Sequence, residues 1–305
     1  MNNLLSRGAC LAAVALCTLA TSCVTTIPVR SRQPGPVAIG AADQLTLVKG
    51  EGRRSAREVV VQEVQQQARA NGYFTVQDRS EDPIFVRVAG GHVTIDDQAK
   101  QLNGDSVRGV KIDVLEWNGS QGTRDVESKD AKGKVTTQRV DVQVGKVLLA
   151  VTLFDTQGRA YLGETEYEGT FETQDMKTAR DDVVAAAARA AVARLMHDIT
   201  PVEVVTRVRL DDDDEGQQAI VATAKAGNLA QAARDARTYV EANPNTPSAA
   251  YNLAVLLDAM GSYEEALAYY DQALGGSNKD YYTAARAECA RRMGNAQAVG
   301  AQPAR

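Results

Sequence analysis

The stretch PSAAYNLAVLLDAMGSYEEALAYYDQALGGSNKD at residues 247–280 decides how the second half of the chain folds. Apolar residues recur at helical spacing on both sides of Gly261, and this pattern predicts two helices joined by a short turn. A weaker copy occupies residues 213–246, where Gly227 stands 34 positions before Gly261. A fixed period of this length is typical of stacked helical repeats. The sequence therefore predicts a short all-α solenoid over residues 213–293.

The repeated unit resembles the tetratricopeptide repeat family. The resemblance rests on residues at the packing positions of the two helices and at their turn: Leu253, Ala254, Leu257, Gly261, Ala266, Tyr270 and Ala273. It implies two repeats, at 213–246 and 247–280, and then a capping helix whose arginines, Arg292 among them, face water. We expect residues 294–305 to be a disordered tail. Since about three repeats are usually needed for stability, the array is expected to lean on the preceding domain.

Tetratricopeptide arrays present the inner face of their first helices as a concave groove, and the resemblance implies a partner-binding groove here. Seven residues would line it: Gln217, Val221, Lys225, Ser248, Tyr251, Val255 and Asp258. Some family members clamp a peptide carboxylate with lysine and asparagine at the first two positions, which Gln217 and Val221 do not reproduce. A groove around Tyr251 and Val255 favours a helix or an extended segment with apolar anchors. The alternative is that these residues contact the neighbouring domain.

Two helices are predicted in the first domain, residues 37–210. A capping-box pattern at residues 55–58 opens one of them, and Gly72 ends it because glycine readily takes the left-handed conformation. A similar pattern at residues 178–181 opens the second helix, which ends before Pro201.

Strands are predicted between these helices, because apolar and polar residues alternate over 110–114 and over 140–144. The polar, glycine-rich segment 118–134 between them predicts a long mobile hairpin loop. We expect a mostly antiparallel sheet with two helices on one face, which places the whole chain in the α+β class. In its order of elements, without a shared residue motif, this half is similar to the periplasmic cores of the curli-secretion lipoprotein and of lipoprotein activators of penicillin-binding proteins.

The N-terminus carries a targeting signal. Arg7 precedes a short apolar run over residues 8–20, as in a secretory signal peptide, here residues 1–22. The sequence LATSC that ends at Cys23 resembles the lipobox of bacterial lipoproteins, whose cysteine is acylated and becomes the first mature residue. No aspartate, the family's inner-membrane retention signal, follows the cysteine. The resemblance therefore implies an outer-membrane lipoprotein, with residues 23–36 as a lipidated flexible tether. The alternative is an ordinary secretory signal with a chance cysteine.

The composition and motifs point to a binding protein. The net charge of −5 argues against nucleic acid as a partner. His92 and His197 lie in different contexts, and the sequence has no metal-ligand spacing, phosphate-binding loop or nucleophile elbow. We therefore expect no metal, no cofactor and no catalytic residue.

The acidic run at 211–215 lacks the spacing of a calcium loop and predicts a solvated linker that caps the first repeat helix. Cys289 is expected to be a small buried residue, or else to form an intermolecular disulfide.

These features lead us to expect a non-enzymatic outer-membrane lipoprotein, periplasmic or surface-facing, that scaffolds a cell-envelope complex. Secretion, pilus or gliding-motility machinery and cell-wall synthesis all fit. Its expected partners are other envelope proteins, bound through the repeats, and the outer membrane, reached through the lipid. Two alternatives stay open: a periplasmic enzyme with an unrecognised active site in the α/β domain, and a non-lipidated, chaperone-like binder.

Overall fold

The computed structural model describes residues 24–82, 94–100, 102–129 and 133–300. The predictions for the signal peptide, for Cys23, for His92 and for residues 301–305 lie outside these ranges. The strands within them are β1 (Thr26–Gln33), β2 (Gln44–Val48), β3 (Thr75–Asp78), β4 (Val107–Lys129), β5 (Val135–Phe154), β6 (Ala160–Thr173) and β7 (Val202–Arg209). The helices are α1 (Arg54–Asn71), α2 (Ile95–Ala99), α3 (Arg180–Ile199), α4 (Gln218–Lys225), α5 (Leu229–Ala242), α6 (Pro247–Ala259), α7 (Tyr263–Gly276) and α8 (Asp280–Val299).

The fold is α+β, with a five-stranded sheet followed by a helical region. The strands of the sheet lie in the order β3-β2-β4-β5-β6. The sheet is mixed, because β2 runs parallel to both β3 and β4, whereas β4, β5 and β6 are antiparallel. The sheet is thus less antiparallel than the sequence predicts, because α1 makes a crossover connection that returns β3 alongside β2 in the same direction.

Helix α3 lies unusually close to the sheet because two strand glycines leave room for it. A Cβ atom on Gly169 would lie 2.0 Å from the Ala187 carbonyl oxygen, and one on Gly145 would lie 2.4 Å from that of Val183. The facing side of α3 carries small residues, including the fully buried Ala187 and Ala191. Glycine on the strands and alanine on the helix therefore allow backbone-to-backbone packing.

Strands β4 and β5 pair antiparallel, as the predicted hairpin requires, but residues 118–129 belong to β4 and not to a long mobile loop. Strands β4 and β5 pair continuously from the bulge after Val114 to the pair of Lys129 with Val135. An antiparallel hairpin satisfies its own backbone hydrogen bonds, so polar side chains at these positions do not prevent strand formation. The two strands continue beyond the last β6 pair, Thr173 with Gln143.

The predicted helix caps are half right. Gly72 ends α1 with φ 65°, and its N–H donates to the carbonyl of Ala68 at 3.0 Å. Neither capping box forms, because α1 begins with Arg53 as its N-cap and α3 with Ala179, and neither cap has a side-chain hydrogen bond. The serine and the threonine that we placed at the caps lie one or two residues away from those positions.

Strand β1 replaces the flexible tether predicted at residues 23–36. It pairs with β7 in an antiparallel ribbon, and Ile27 and Val29 are completely buried against the helical region. The alternation of Ile27 and Val29 with Pro28 and Arg30 is the period-two pattern of a half-buried strand, which the polar, proline-rich composition concealed. The start of the described chain is therefore part of the core.

The helical region consists of consecutive helices that pack on their neighbours from α4 to α8. Gly227 and Gly261 occupy equivalent turns, with φ angles of 86° and 80°. Helix α8 continues to Val299, so residues 294–299, which we predicted to be disordered, are helical. No helix in the described ranges is long and apolar enough to cross a bilayer.

Candidate functional site

Most of the residues predicted to line an open groove are buried. Gln217, Val221, Tyr251, Val255 and Asp258 are buried, Ser248 is half-buried and Lys225 is exposed. The prediction of an open groove is therefore wrong at five of its seven positions. The alternative, contact with the neighbouring domain, holds for Tyr251, which bonds to the Arg209 carbonyl, whereas Asp258 contacts Arg292 of α8.

The chain itself covers this face, through β1, β7 and α8. Ile27 of β1 belongs to the same buried cluster as Val255. Tyr251 stacks on Tyr282 of α8 with ring centroids 3.9 Å apart, and its hydroxyl donates to the carbonyl of Arg209 at 2.8 Å. Because these contacts cover the face on which the groove was predicted, a partner cannot enter there without displacing α8 or the ribbon.

Asp211, just after β7, is the centre of a buried polar junction. Its Oδ2 atom accepts hydrogen bonds from Lys279 Nζ at 2.7 Å, the Tyr281 hydroxyl at 2.8 Å and the Tyr282 hydroxyl at 2.5 Å. Burial acts to raise the pKa of Asp211, but these three donors outweigh it and hold the pKa below its usual range. The carboxylate therefore ties the end of β7 to the start of α8 as an anion.

Asn252 joins the junction from the middle of α6. Its Oδ1 accepts from the Asp211 N–H and its Nδ2 donates to the Asp211 carbonyl, both at 2.7 Å. The side-chain amide thus pairs with the backbone as a neighbouring strand would. Nδ2 also donates to Gln217 Oε1 at 2.8 Å, and Gln217 Nε2 donates to Ser248 Oγ at 2.9 Å. Two predicted groove residues therefore hold the junction together.

A second buried contact joins α6 to α8 through Asp258 and Arg292. Arg292 Nε donates to Asp258 Oδ1 at 2.9 Å, and Arg292 Nη1 donates to Thr206 Oγ1 of β7 at 3.3 Å. Arg292 was predicted to face water, but its side chain is 1% exposed. Nearby, burial and the charge of Asp258 raise the pKa of the Cys289 thiol to about 12, so the thiol is neutral at physiological pH.

The acidic run at 211–215 is used for internal contacts. Asp212 accepts from Thr25 Oγ1 at 2.8 Å, and Asp213 pairs with Lys279 at 2.8 Å. Asp214 accepts from the Gly216 N–H at 3.0 Å and so caps the short 3-10 turn before α4. Nowhere in the described part of the chain are three or more His, Cys, Asp or Glu side chains arranged to hold a metal ion.

An open cleft lies near the Asp258–Arg292 contact, between the ribbon, the turn from α6 to α7 and the end of α8. It has a volume of about 1140 Å³. Its lining is apolar at Met260, Tyr263 and Met293. Arg30 and Arg32 of β1 contribute positive charge, and Glu264 and Glu265 of α7 contribute negative charge. Met260 is 47% exposed. Flexible methionine side chains among charges of both signs suit an amphipathic protein segment.

One residue of the Asp211 junction and one of the Asp258–Arg292 contact could have been found from the sequence. Asn252 and Asp258 are polar residues within the apolar helix α6, and a buried polar group needs a partner. That signal does not identify the partners, because Asp211 and Arg292 lie 41 and 34 residues away along the chain.

Comparisons with known proteins show limited likeness. No family model matches the chain, and no curated protein sequence matches it. Among solved structures, a minor lipoprotein from Acinetobacter baumannii is 12% identical, with a TM-score of 0.28 over 52% of this chain and 90% of that one. A PelC dodecamer from Paraburkholderia phytofirmans is 15% identical, with a TM-score of 0.30 over 56% and 96%. A putative neuraminyllactose-binding hemagglutinin homologue from Helicobacter pylori is 9% identical, with a TM-score of 0.28 over 51% and 79%. Likenesses this low support no inference about function.

Proposed function

We propose that this chain is a non-enzymatic outer-membrane lipoprotein, anchored at Cys23, that scaffolds a protein complex of the cell envelope. The complex belongs to secretion, pilus or gliding-motility machinery or to cell-wall synthesis. The lipobox-like sequence that ends at Cys23 supports the anchor. The charged cleft beside α8, with its methionines, supports a protein partner.

The position of β1 is the observation that carries this proposal. Thr26 begins the strand three residues after Cys23, and the next residue, Ile27, is already completely buried. Three residues span at most about 11 Å. A lipid on Cys23 would therefore hold the helical region at a short and fixed distance from the membrane, as an assembly platform requires.

We further propose that α4–α5 and α6–α7 are two tetratricopeptide-like repeats and that α8 caps them. The equivalent glycine turns and the complete burial of both Ala232 and Ala266, again 34 positions apart, support this. The partner site is then the cleft at the α6–α7 turn, since the concave face is occupied by the chain.

Replacing Cys23 tests the anchor. Cys23→Ala is expected to abolish the incorporation of labelled palmitate and to move the protein out of the outer-membrane fraction. Retention of the variant in that fraction, with no label in the wild type, would refute the lipoprotein assignment without bearing on the cleft.

A photo-cross-linking residue at position 260 tests the scaffold. We expect it to trap an envelope protein in intact cells, and Met293→Glu in the same chain to remove that adduct. The control position is Arg291 on α8, which is outside the cleft and half exposed. Adducts that are the same from both positions, or that Met293→Glu leaves unchanged, would contradict partner binding at the cleft.

A further inference from the structure

Strand β6 forms one edge of the five-stranded sheet, and in the described ranges no strand pairs with its outer side. Residues 165–173 pair one to one with β5, and the register shifts of this ladder lie closer to Leu162. Every second residue of an edge strand directs its N–H and C=O groups outward. The chain therefore presents a long, regular row of backbone donors and acceptors, the template to which an extended segment adds as a further strand.

The two faces of this edge differ in charge. Tyr167 and Gly169 lie against α3, so the intervening residues lie on the opposite face of the sheet. Three glutamates of the regular ladder occupy that face of β6, namely Glu166, Glu168 and Glu172, and Glu164 lies just before them in the register shift; all four are exposed. An incoming strand would place alternate side chains beside this row.

The cations of the sheet neutralise only part of the row. Arg124 pairs with Glu172 at 2.8 Å. Lys146 lies 3.8 Å from Glu168 but contacts Glu116 more closely, at 2.9 Å. Glu164 and Glu166 have no ion pair with any described residue. Negative charge is therefore in excess where a partner strand would lie.

Pairing between two copies of β6 is unfavourable. Antiparallel pairing centred on Glu168 would oppose Glu168 to itself within the same row of glutamates, and like charges directly opposite each other destabilise a sheet. The occupant must carry the opposite charge. On the other face, Phe171 is 40% exposed beside Gly169, which offers an apolar contact to one intervening side chain of the new strand.

We propose that β6 binds an extended segment of another protein by strand addition, and that this segment carries Lys or Arg at every second position. Its basic side chains face the glutamate row, and its backbone completes the hydrogen bonds of the edge. The site lies on the α/β domain, away from the cleft, and does not depend on the proposed lipid anchor.

A labelled peptide tests this with the purified full-length protein. The probe has nine residues, with Lys at positions 1, 3, 5, 7 and 9 and Thr, Val, Phe and Thr between them. One control peptide has the same composition with its lysines in a block, and another carries N-methyl groups on alternate backbone nitrogens. We expect fluorescence anisotropy to show the alternating peptide binding about tenfold more tightly than either control, because only it matches both the register and the backbone bonds.

Charge reversal locates the binding. Glu164→Lys with Glu166→Lys is expected to weaken binding about tenfold or more. The matched control, Glu127→Lys with Glu241→Lys, makes the same change in net charge at exposed positions elsewhere and is expected to change affinity less than about twofold. Amide hydrogen exchange should slow within β6 when the peptide is bound. Equal binding of the alternating and blocked peptides, equal effects of the two double variants or unchanged exchange in β6 would overturn the proposal and leave the glutamates as protection against edge aggregation.

Discussion

The guanidinium of Arg292 lies against the carboxylate of Asp258 in the helical core, 34 residues apart in the chain, and both side chains are at least 99% buried. Removing one partner of a buried ion pair leaves the other charge without compensation. Arg292→Met is therefore expected to lower the free energy of unfolding by about 3–5 kcal/mol in urea titrations. The control Arg291→Met, next in sequence but paired with Glu288 at the surface, should cost no more than about 1 kcal/mol. Equal losses of unfolding free energy in the two variants would refute the buried ion pair of Arg292 with Asp258. The double variant Arg292→Met with Asp258→Leu should recover most of the stability that Arg292→Met loses.

The Asp211 junction predicts acid sensitivity. The pKa of Asp211 is lower in the folded protein than the value of about 3.9 in an unfolded chain. Its stabilisation is therefore fully present well above pH 4 and is lost as the pH falls through the folded pKa. Asp211→Asn should cost about 2–3 kcal/mol at pH 7 and progressively less below pH 4, measured by chemical unfolding across that range. Asp213→Asn, at an exposed carboxylate of the same run, should have a small effect at every pH. A cost for Asp211→Asn that does not change with pH would contradict the role of the charge.

Close packing of α3 on the sheet predicts a strong effect of a single methyl group. A Cβ on Gly169 would meet the backbone of α3 at 2.0 Å, so the helix must move. We expect Gly169→Ala to destabilise the protein by about 1–3 kcal/mol. Gly163→Ala in the same strand meets no atom within 4 Å and should be neutral or slightly stabilising. Thermal unfolding of the two variants provides the comparison, and similar melting temperatures would show that α3 is not held by this contact.

Because Tyr251 is buried, we expect its replacement to lower the stability of the protein and not only partner binding. In an open groove, Tyr251→Ala would affect partner binding alone. In this structure it removes a ring stacked on Tyr282 and a donor to the Arg209 carbonyl, so it should cost about 3–5 kcal/mol in stability. Lys225→Ala, at the exposed position of the predicted groove, should leave stability unchanged. Near-ultraviolet circular dichroism and urea unfolding measure both variants, and a native-like Tyr251→Ala protein would reopen the groove interpretation.

Local pattern was enough to predict the long helices and the main strands, but not the short helix α2 or the contacts between distant segments. The end of α1 at Gly72 followed from glycine chemistry, and the alternation over 110–114 and 140–144 predicted β4 and β5. The tether prediction failed because composition was weighed above the period-two pattern of β1, whose partner β7 lies far along the chain. The groove prediction also failed because of contacts distant in sequence, since the residues that cover Tyr251 lie outside its own repeat.

The ribbon of β1 and β7 also constrains the order in which the protein can fold. Val29 of β1 and Thr206 of β7 are 177 residues apart, so the first strand stays unpaired until most of the chain has been synthesised. We expect this long loop to close late in folding. The entropy lost on closing it is offset only when β1 packs against β7 and the helices together. Until then the apolar face of β1, with Ile27 and Val29, has no partner strand and no helices to cover it and is open to aggregation. We therefore expect newly made chains to depend on a holding chaperone for longer than two independently folding domains would.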